Sequence, residues 1–63
     1  MKEYSKLDLM DRYHIIISIN NRVKTSQIAR TLERKRSVIS REIEKNGGRL
    51  RYDPVQAQIK ADI

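Results

Sequence analysis

From residue 7 onward the apolar positions recur at spacings of three and four, and strict alternation is nowhere sustained, so the chain reads as helices rather than strands. Glycine occurs only at 47 and 48 and proline only at 54, which leaves residues 8–46 without a strong breaker. Asp8 opens a first helix as its N-cap, and Asp11, three residues on, completes a short form of the capping box. Both acids also suit the positive end of the helix dipole. The spacing predicts a helix from about Leu9 to Asn20 with a core stripe of Leu9, Ile15, Ile16 and Ile19 and with Tyr13 at its margin. Three consecutive isoleucines cannot share one face, so Ile17 is expected half exposed. His14 falls beside the stripe and reads as a partly exposed ring. Asn20 and Asn21 are the expected left-handed terminators.

A second helix begins near Thr25 or Ser26, either of which is a good N-cap, and buries Ile28, Ala29 and Leu32. The methyl of Ala29 lets another helix approach closely, although alanine is also an ordinary helix former. After the charged run "ERKRS" (33–37), a third helix is expected from Arg36 to Lys45. Its apolar seam is thin: Ile39 and Ile43 point inward and Arg41 lies nearly opposite them, flanked by Ser37, Glu44 and Lys45. Gly47 and Gly48 stop it. "YDP" then reads as a fresh start, with Asp53 as N-cap and Pro54 in the first helical position. Val55, Ala57, Gln58, Ile59 and Ile63 supply the pattern of a fourth helix, which breaks off without a C-cap; a piece of something longer is the expectation, a frayed tail the alternative. The fold class is therefore all-α: a three-helix bundle with a partial fourth helix. Residues 1–48 form the main domain, and 49–63 a basic connector leading into a C-terminal helix.

Size limits what such a bundle can do. A chain of 63 residues makes one domain and buries only roughly 60% of the surface its unfolded form exposes, so a roomy active-site cleft is hard to build. There is no cysteine, and a single histidine, His14, cannot assemble a metal site, so no cofactor is expected. The longest apolar run, residues 15–17, is far short of the ~20 residues that span a bilayer, and charges interrupt the N-terminus where a signal peptide would need apolar residues. A soluble, intracellular protein with no membrane partner is the expectation. Glu42 and Glu44 are two apart and face different ways, so they make no acid–base pair. Glu42 is better read as the partner of a nearby arginine, Arg30 or Arg34.

Charge changes the picture most. The net charge of +6 is uneven: residues 1–20 balance three bases with three acids, residues 21–52 hold ten bases against three acids, and residues 53–63 hold one base and two acids. A basic block between neutral ends points to a polyanion-facing surface; a merely solubilising face is the alternative. The block coincides with two short helices joined by a tight connection, with Ala29 inside the first and Ile39, ten residues later, inside the second. That is the spacing of a helix-turn-helix, whose second helix enters the DNA major groove and reads bases mainly from its N-terminal half. Arg36, Ser37, Ser40 and Arg41 are placed to do so, with Lys45 on the same face. Arginine can pair bidentately with guanine, and serine can bond several bases. Thr25, Ser26 and Gln27 would meet phosphates at the start of the preceding helix, and Arg34 and Lys35 would do so in the turn. The segment from Arg49 to Tyr52 reads either as a basic arm that follows the DNA backbone or enters the minor groove, or as a linker that packs Tyr52 on the core and launches the fourth helix; phosphate contact is expected for Arg49 and Arg51, and packing for Tyr52.

The run "IARTLERKRSVISREIEKNGG", followed by Tyr52 and by Ala57-Gln58, resembles the N-terminal domain of the IS-thirty type of bacterial insertion-sequence transposases. "ISREI…NGG…Y" is its specific part; "IA..L" is shared by many regulators. The resemblance spans residues 7–60. It implies a homeodomain-like helix-turn-helix domain that binds the terminal inverted repeats of the element, on the nucleoid in the bacterial cytoplasm. A separate metal-dependent domain would carry out strand transfer, so this chain would not itself be an enzyme, and oligomerisation would involve parts of the parent protein. By matching positions, Ser37, Ser40 and Arg41 inherit the DNA-reading role, and Ile28, Ala29, Leu32, Ile39 and Ile43 inherit the core. The chain departs from the family where glycine is usual, at Arg22 and Glu33, and where serine and proline are common, at Lys35 and Arg36. The second and third helices must then be joined without an easy left-handed residue, and the third loses a cap worth about 1 kcal/mol unless Ser37 replaces it. A stand-alone transcriptional regulator with the same motif is the next reading, and a helical module whose basic face meets an acidic protein is a third.

Overall fold

The computed structural model describes residues 7–61. They form four helices, α1 (Leu9–Asn20), α2 (Thr25–Leu32), α3 (Arg36–Lys45) and α4 (Pro54–Ala61), and no strand is present among the described residues. The expected all-α class is the observed one. Ile63, expected in the fourth helix, lies outside the described residues.

The first turn of α1 closes as its sequence dictates. The Asp11 amide donates to Asp8 Oδ1 at 2.8 Å, and the Asp8 amide donates back to Asp11 Oδ2 at 3.2 Å. Two of the amides that a helix start leaves unpaired are thereby satisfied. The end of α1 differs from expectation. Asn21 stays right-handed (φ −92°), and the left-handed residue is Arg22 (φ 61°). The Arg22 amide donates to Ile19 O at 2.9 Å and the Val23 amide to Ser18 O at 2.9 Å, the paired bonds of a Schellman motif.

The same motif ends α2 and α3. In α2 the left-handed residue is Glu33 (φ 57°), with Glu33 N bonded to Arg30 O at 3.2 Å and Arg34 N to Ala29 O at 2.9 Å. In α3 it is Gly47 (φ 96°), with Gly48 N bonded to Ile43 O at 2.9 Å. Arg22 and Glu33, the two non-glycine residues at positive φ among the described residues, are positions where the resembled family usually has glycine. Each holds a conformation that costs an L-residue about 1–2 kcal/mol.

The starts of α2 and α3 also differ from the sequence reading. Lys24 and Lys35 are the N-caps, and neither helix has a side-chain capping bond. Thr25 is the first helical residue of α2 rather than its cap, and Ser37 does not replace the cap of α3.

α2 packs on α3, α1 packs on α4, and α1 touches α2. Ile15, Ile28 and Ile39 are fully buried where these helices meet, joined by Leu7, Ala29, Ile43, Tyr52 and Ala57, with Ile16, Ile19, Val23 and Leu32 packed around them. The inward placement of Ile28, Ala29, Ile39 and Ile43 agrees with the helical spacing, as do the burial of Tyr52 and the exposure of Ile17. Leu9, expected in the core stripe, is exposed instead, while Leu7 and Arg12 are buried, with Arg12 reaching Gln58 of α4.

Candidate nucleic-acid interface

α3 divides cleanly along its length. Ile39, Glu42, Ile43 and the following Asn46 are buried, while Arg36, Ser37, Ser40, Arg41, Glu44 and Lys45 are exposed. The thin apolar seam suffices because α3 is held by more than hydrophobic contact. Glu42, on the inner face, is the hub of a buried polar network. Its Oε2 accepts from Arg12 Nε at 2.9 Å and from the Tyr52 hydroxyl at 3.0 Å. Asn46 Nδ2 donates to the Glu42 carbonyl at 2.8 Å, and Arg12 Nη1 reaches on to Gln58 Oε1 at 2.7 Å. A single carboxylate thus ties α3 to α1, to the α3–α4 connector and, through Arg12, to α4.

Charged groups are buried at acceptable cost only when paired and hydrogen-bonded, and this pair is both. Arg12 and Glu42 side chains are each 4% exposed. Burial, and next to it the Glu42 carboxylate, push the Tyr52 hydroxyl well above the usual phenol range, so it remains a proton donor to Glu42. The expected partners of Glu42, Arg30 and Arg34, are replaced by Arg12, 30 residues away.

Arg34 also departs from the sequence-based expectation. It was expected on the DNA backbone, but its side chain is buried, with Nη2 donating to Asp11 Oδ2 at 3.1 Å and Nη1 to the Leu32 carbonyl at 2.8 Å. It pins the α2–α3 turn to the start of α1 and satisfies a carbonyl at the end of α2. It therefore leaves the set of candidate DNA contacts. Arg49 is half-buried and also partly committed: Nη1 donates to Thr25 Oγ1 at 3.1 Å and Nη2 to Val23 O at 2.6 Å. It braces the connector against the start of α2. Arg51, Lys35, Ser26 and Gln27 are exposed.

An open cleft of about 560 Å³ lies between the start of α2 and the start of α3, lined by Arg22, Val23, Lys24, Thr25, Ser26, Arg36 and Arg49. Four cations therefore surround the first turn of α2, where backbone N–H groups and the helix dipole favour an anion. Of the expected contacts, Thr25, Ser26, Arg36 and Arg49 meet here. Ser40, Arg41 and Lys45 lie further along the exposed side of α3. Arg22 and Lys24 were missed in the sequence. Both belong to the basic block, but nothing local placed their turn beside the third helix.

Among the described residues there is no group of three or more His, Cys, Asp or Glu side chains placed to hold a metal ion. No described helix is long and apolar enough to cross a membrane. No curated protein and no solved structure matches the chain. A family model described as a helix-turn-helix domain matches residues 3–46, from ahead of α1 to the end of α3. With Ala29 and Ile39 packed inside two short helices, a locked turn between them and a polar outer face on the second, the chain belongs to this helix-turn-helix family and is a DNA-binding domain.

Proposed function

We propose that the domain recognises a specific duplex sequence, the terminal inverted repeat of a mobile element, as the N-terminal module of a transposase. The observation that carries the reading is the outer face of α3. Arg36, Ser37, Ser40, Arg41 and Lys45 are all exposed, on a helix whose opposite side is fixed by Ile39, Glu42 and Ile43. In this reading α3 lies in the major groove and Arg41 pairs with a guanine, while Ser37 and Ser40 bond neighbouring base edges. Thr25, Ser26, Gln27, Lys35, Arg49 and Arg51, with Arg22 and Lys24, hold the flanking phosphates. The transposase assignment is supported by the family, which occurs in transposases, and by the "ISREI…NGG…Y" run.

Selection of preferred duplexes from a random pool tests both halves of the proposal. The expected result is one consensus that matches the ends of an insertion element. Arg41→Ala should cost about 1–3 kcal/mol on that duplex and relax preference at one base pair. Binding should fall with salt at a log–log slope near −0.9 per phosphate met, for roughly 4–6 phosphates. Equal weakening on selected and random duplexes would reduce Arg41 to a phosphate contact, and a pool that yields no consensus would remove sequence recognition altogether.

A further inference from the structure

The α3–α4 connector lies outside residues 3–46 and carries an unusual feature of its own. The Arg51 amide donates to Gly48 O at 3.1 Å, closing a turn with Arg49 and Leu50 at its corner. Leu50 is 100% exposed. A leucine at a turn tip gains nothing for folding, and this one is not left out by slack in the chain. Gly47 and Gly48 both adopt positive φ, and a Cβ at Gly47 would come within 3.0 Å of Arg51 Cβ, so the turn is tight. Arg49 anchors one side of it through Thr25 and Val23, and buried Tyr52 anchors the other. The apolar side chain is thus held out on a rigid base between two arginines.

Its position gives it a partner. Arg49 shares one cleft with Thr25, Ser26 and Arg36, and Leu50 shares the adjoining one with Ile19, Asn20, Arg22 and Arg49. The surface therefore runs from the start of α3, past the start of α2, to the Leu50 turn. If α3 occupies the major groove and the start of α2 sits on the bordering strand, the next groove across that strand is the minor groove. Arginine favours the negative potential of a narrow minor groove, and leucine is one of the apolar side chains that wedge between base steps there.

We propose that the Arg49-Leu50-Arg51 turn is a second DNA-contacting element that enters the minor groove next to the site of α3, with Leu50 as a wedge at one base step and Arg51 on the groove wall. The proposal rests on the major-groove reading of α3. It is tested with the full chain on the duplex obtained by selection, carrying 2-aminopurine in turn at each flanking position. The wild type should raise the fluorescence at one step, reporting unstacking. Leu50→Ala and Leu50→Glu should abolish that rise and weaken binding several-fold, with thermal melts unchanged because Leu50 is fully exposed. Arg41→Ala serves as the control: at protein concentrations that saturate the duplex it should relax preference at one base pair within the α3 site and keep the flanking signal. Wild-type-like affinity and signal in both Leu50 variants, or no fluorescent step with the wild type, would overturn the wedge and leave the α3 reading intact. A wild type that prefers no duplex would overturn both.

Discussion

Replacing Glu42 by glutamine removes one charge from the centre of the molecule and almost nothing else. The carboxylate accepts from Arg12 Nε at 2.9 Å and Nη2 at 3.5 Å, from the Tyr52 hydroxyl at 3.0 Å and from Asn46 Nδ2 at 3.4 Å. The amide of glutamine keeps the shape but turns one acceptor into a donor facing other donors, and it leaves the Arg12 guanidinium buried without a counter-charge. Removing one partner of a buried ion pair typically costs about 3–5 kcal/mol. A chain of 63 residues has roughly 3–9 kcal/mol of stability in total. Glu42→Gln should therefore lose a third or more of it, and its melting temperature should fall by at least about 12 °C, at about 4–8 °C per kcal/mol. Circular-dichroism melts and urea titrations at pH 7 measure this directly. The pair Arg12→Met with Glu42→Leu, which removes both charges, should recover much of the loss. If Glu42→Gln unfolds within about 1 kcal/mol of the wild type, the network is not the brace of α3, and the polar link from α3 to α1 and the connector contributes little.

Two further substitutions probe other parts of the argument. Tyr52→Phe deletes the hydroxyl that donates to Glu42 and should cost about 1.5–3 kcal/mol at neutral pH, the range for hydrogen bonds to charged groups. Because burial raises the folded-state pKa of Tyr52 above the usual value of 10.0, the folded state keeps a proton that the unfolded state loses. This contribution is complete below pH 10 and falls above it, by at most about 1.4 kcal/mol per pH unit. Urea titrations between pH 9 and about 11 should show the wild type losing its advantage over Tyr52→Phe; a constant difference would contradict the assignment. Glu33→Gly should act in the opposite direction. Relief of a left-handed residue at φ 57°, worth about 1–2 kcal/mol, outweighs the ~0.5–1 kcal/mol entropy cost of glycine. The melting temperature should rise by a few degrees, and a fall would mean that Glu33 makes a stabilising contact in the turn.

The helices and their inner faces follow from local patterning alone. Periodicity and glycine, proline and capping signals act within four residues, so the spans of α1 and α3, the Asp8–Asp11 box and the inward turn of Ile28, Ala29, Ile39 and Ile43 were legible without any tertiary information. The outward face of α3 follows from the same geometry. The family resemblance marked Arg22 and Glu33 as places where glycine is usual, and both prove left-handed, whereas the local pattern had put the left-handed end of α1 at Asn20 and Asn21.

The tertiary structure decided which charges are on the surface. Arg12, Arg34 and Arg49 look alike in the sequence, as long basic side chains on helices or in turns that serve equally well as solvated charges or as internal braces. Arg12 turns inward to meet Glu42, Arg34 meets Asp11, and Arg49 spans to Thr25 and Val23, with partners 23 to 30 residues away along the chain. A local pattern cannot encode such distances, because they are set by how the helices cross, and the crossing is set by the packing of the whole core. The basic block was therefore visible from composition, but the division of its arginines between holding the fold and facing a polyanion exists only once α1, α2, α3 and α4 have closed around Ile15, Ile28 and Ile39.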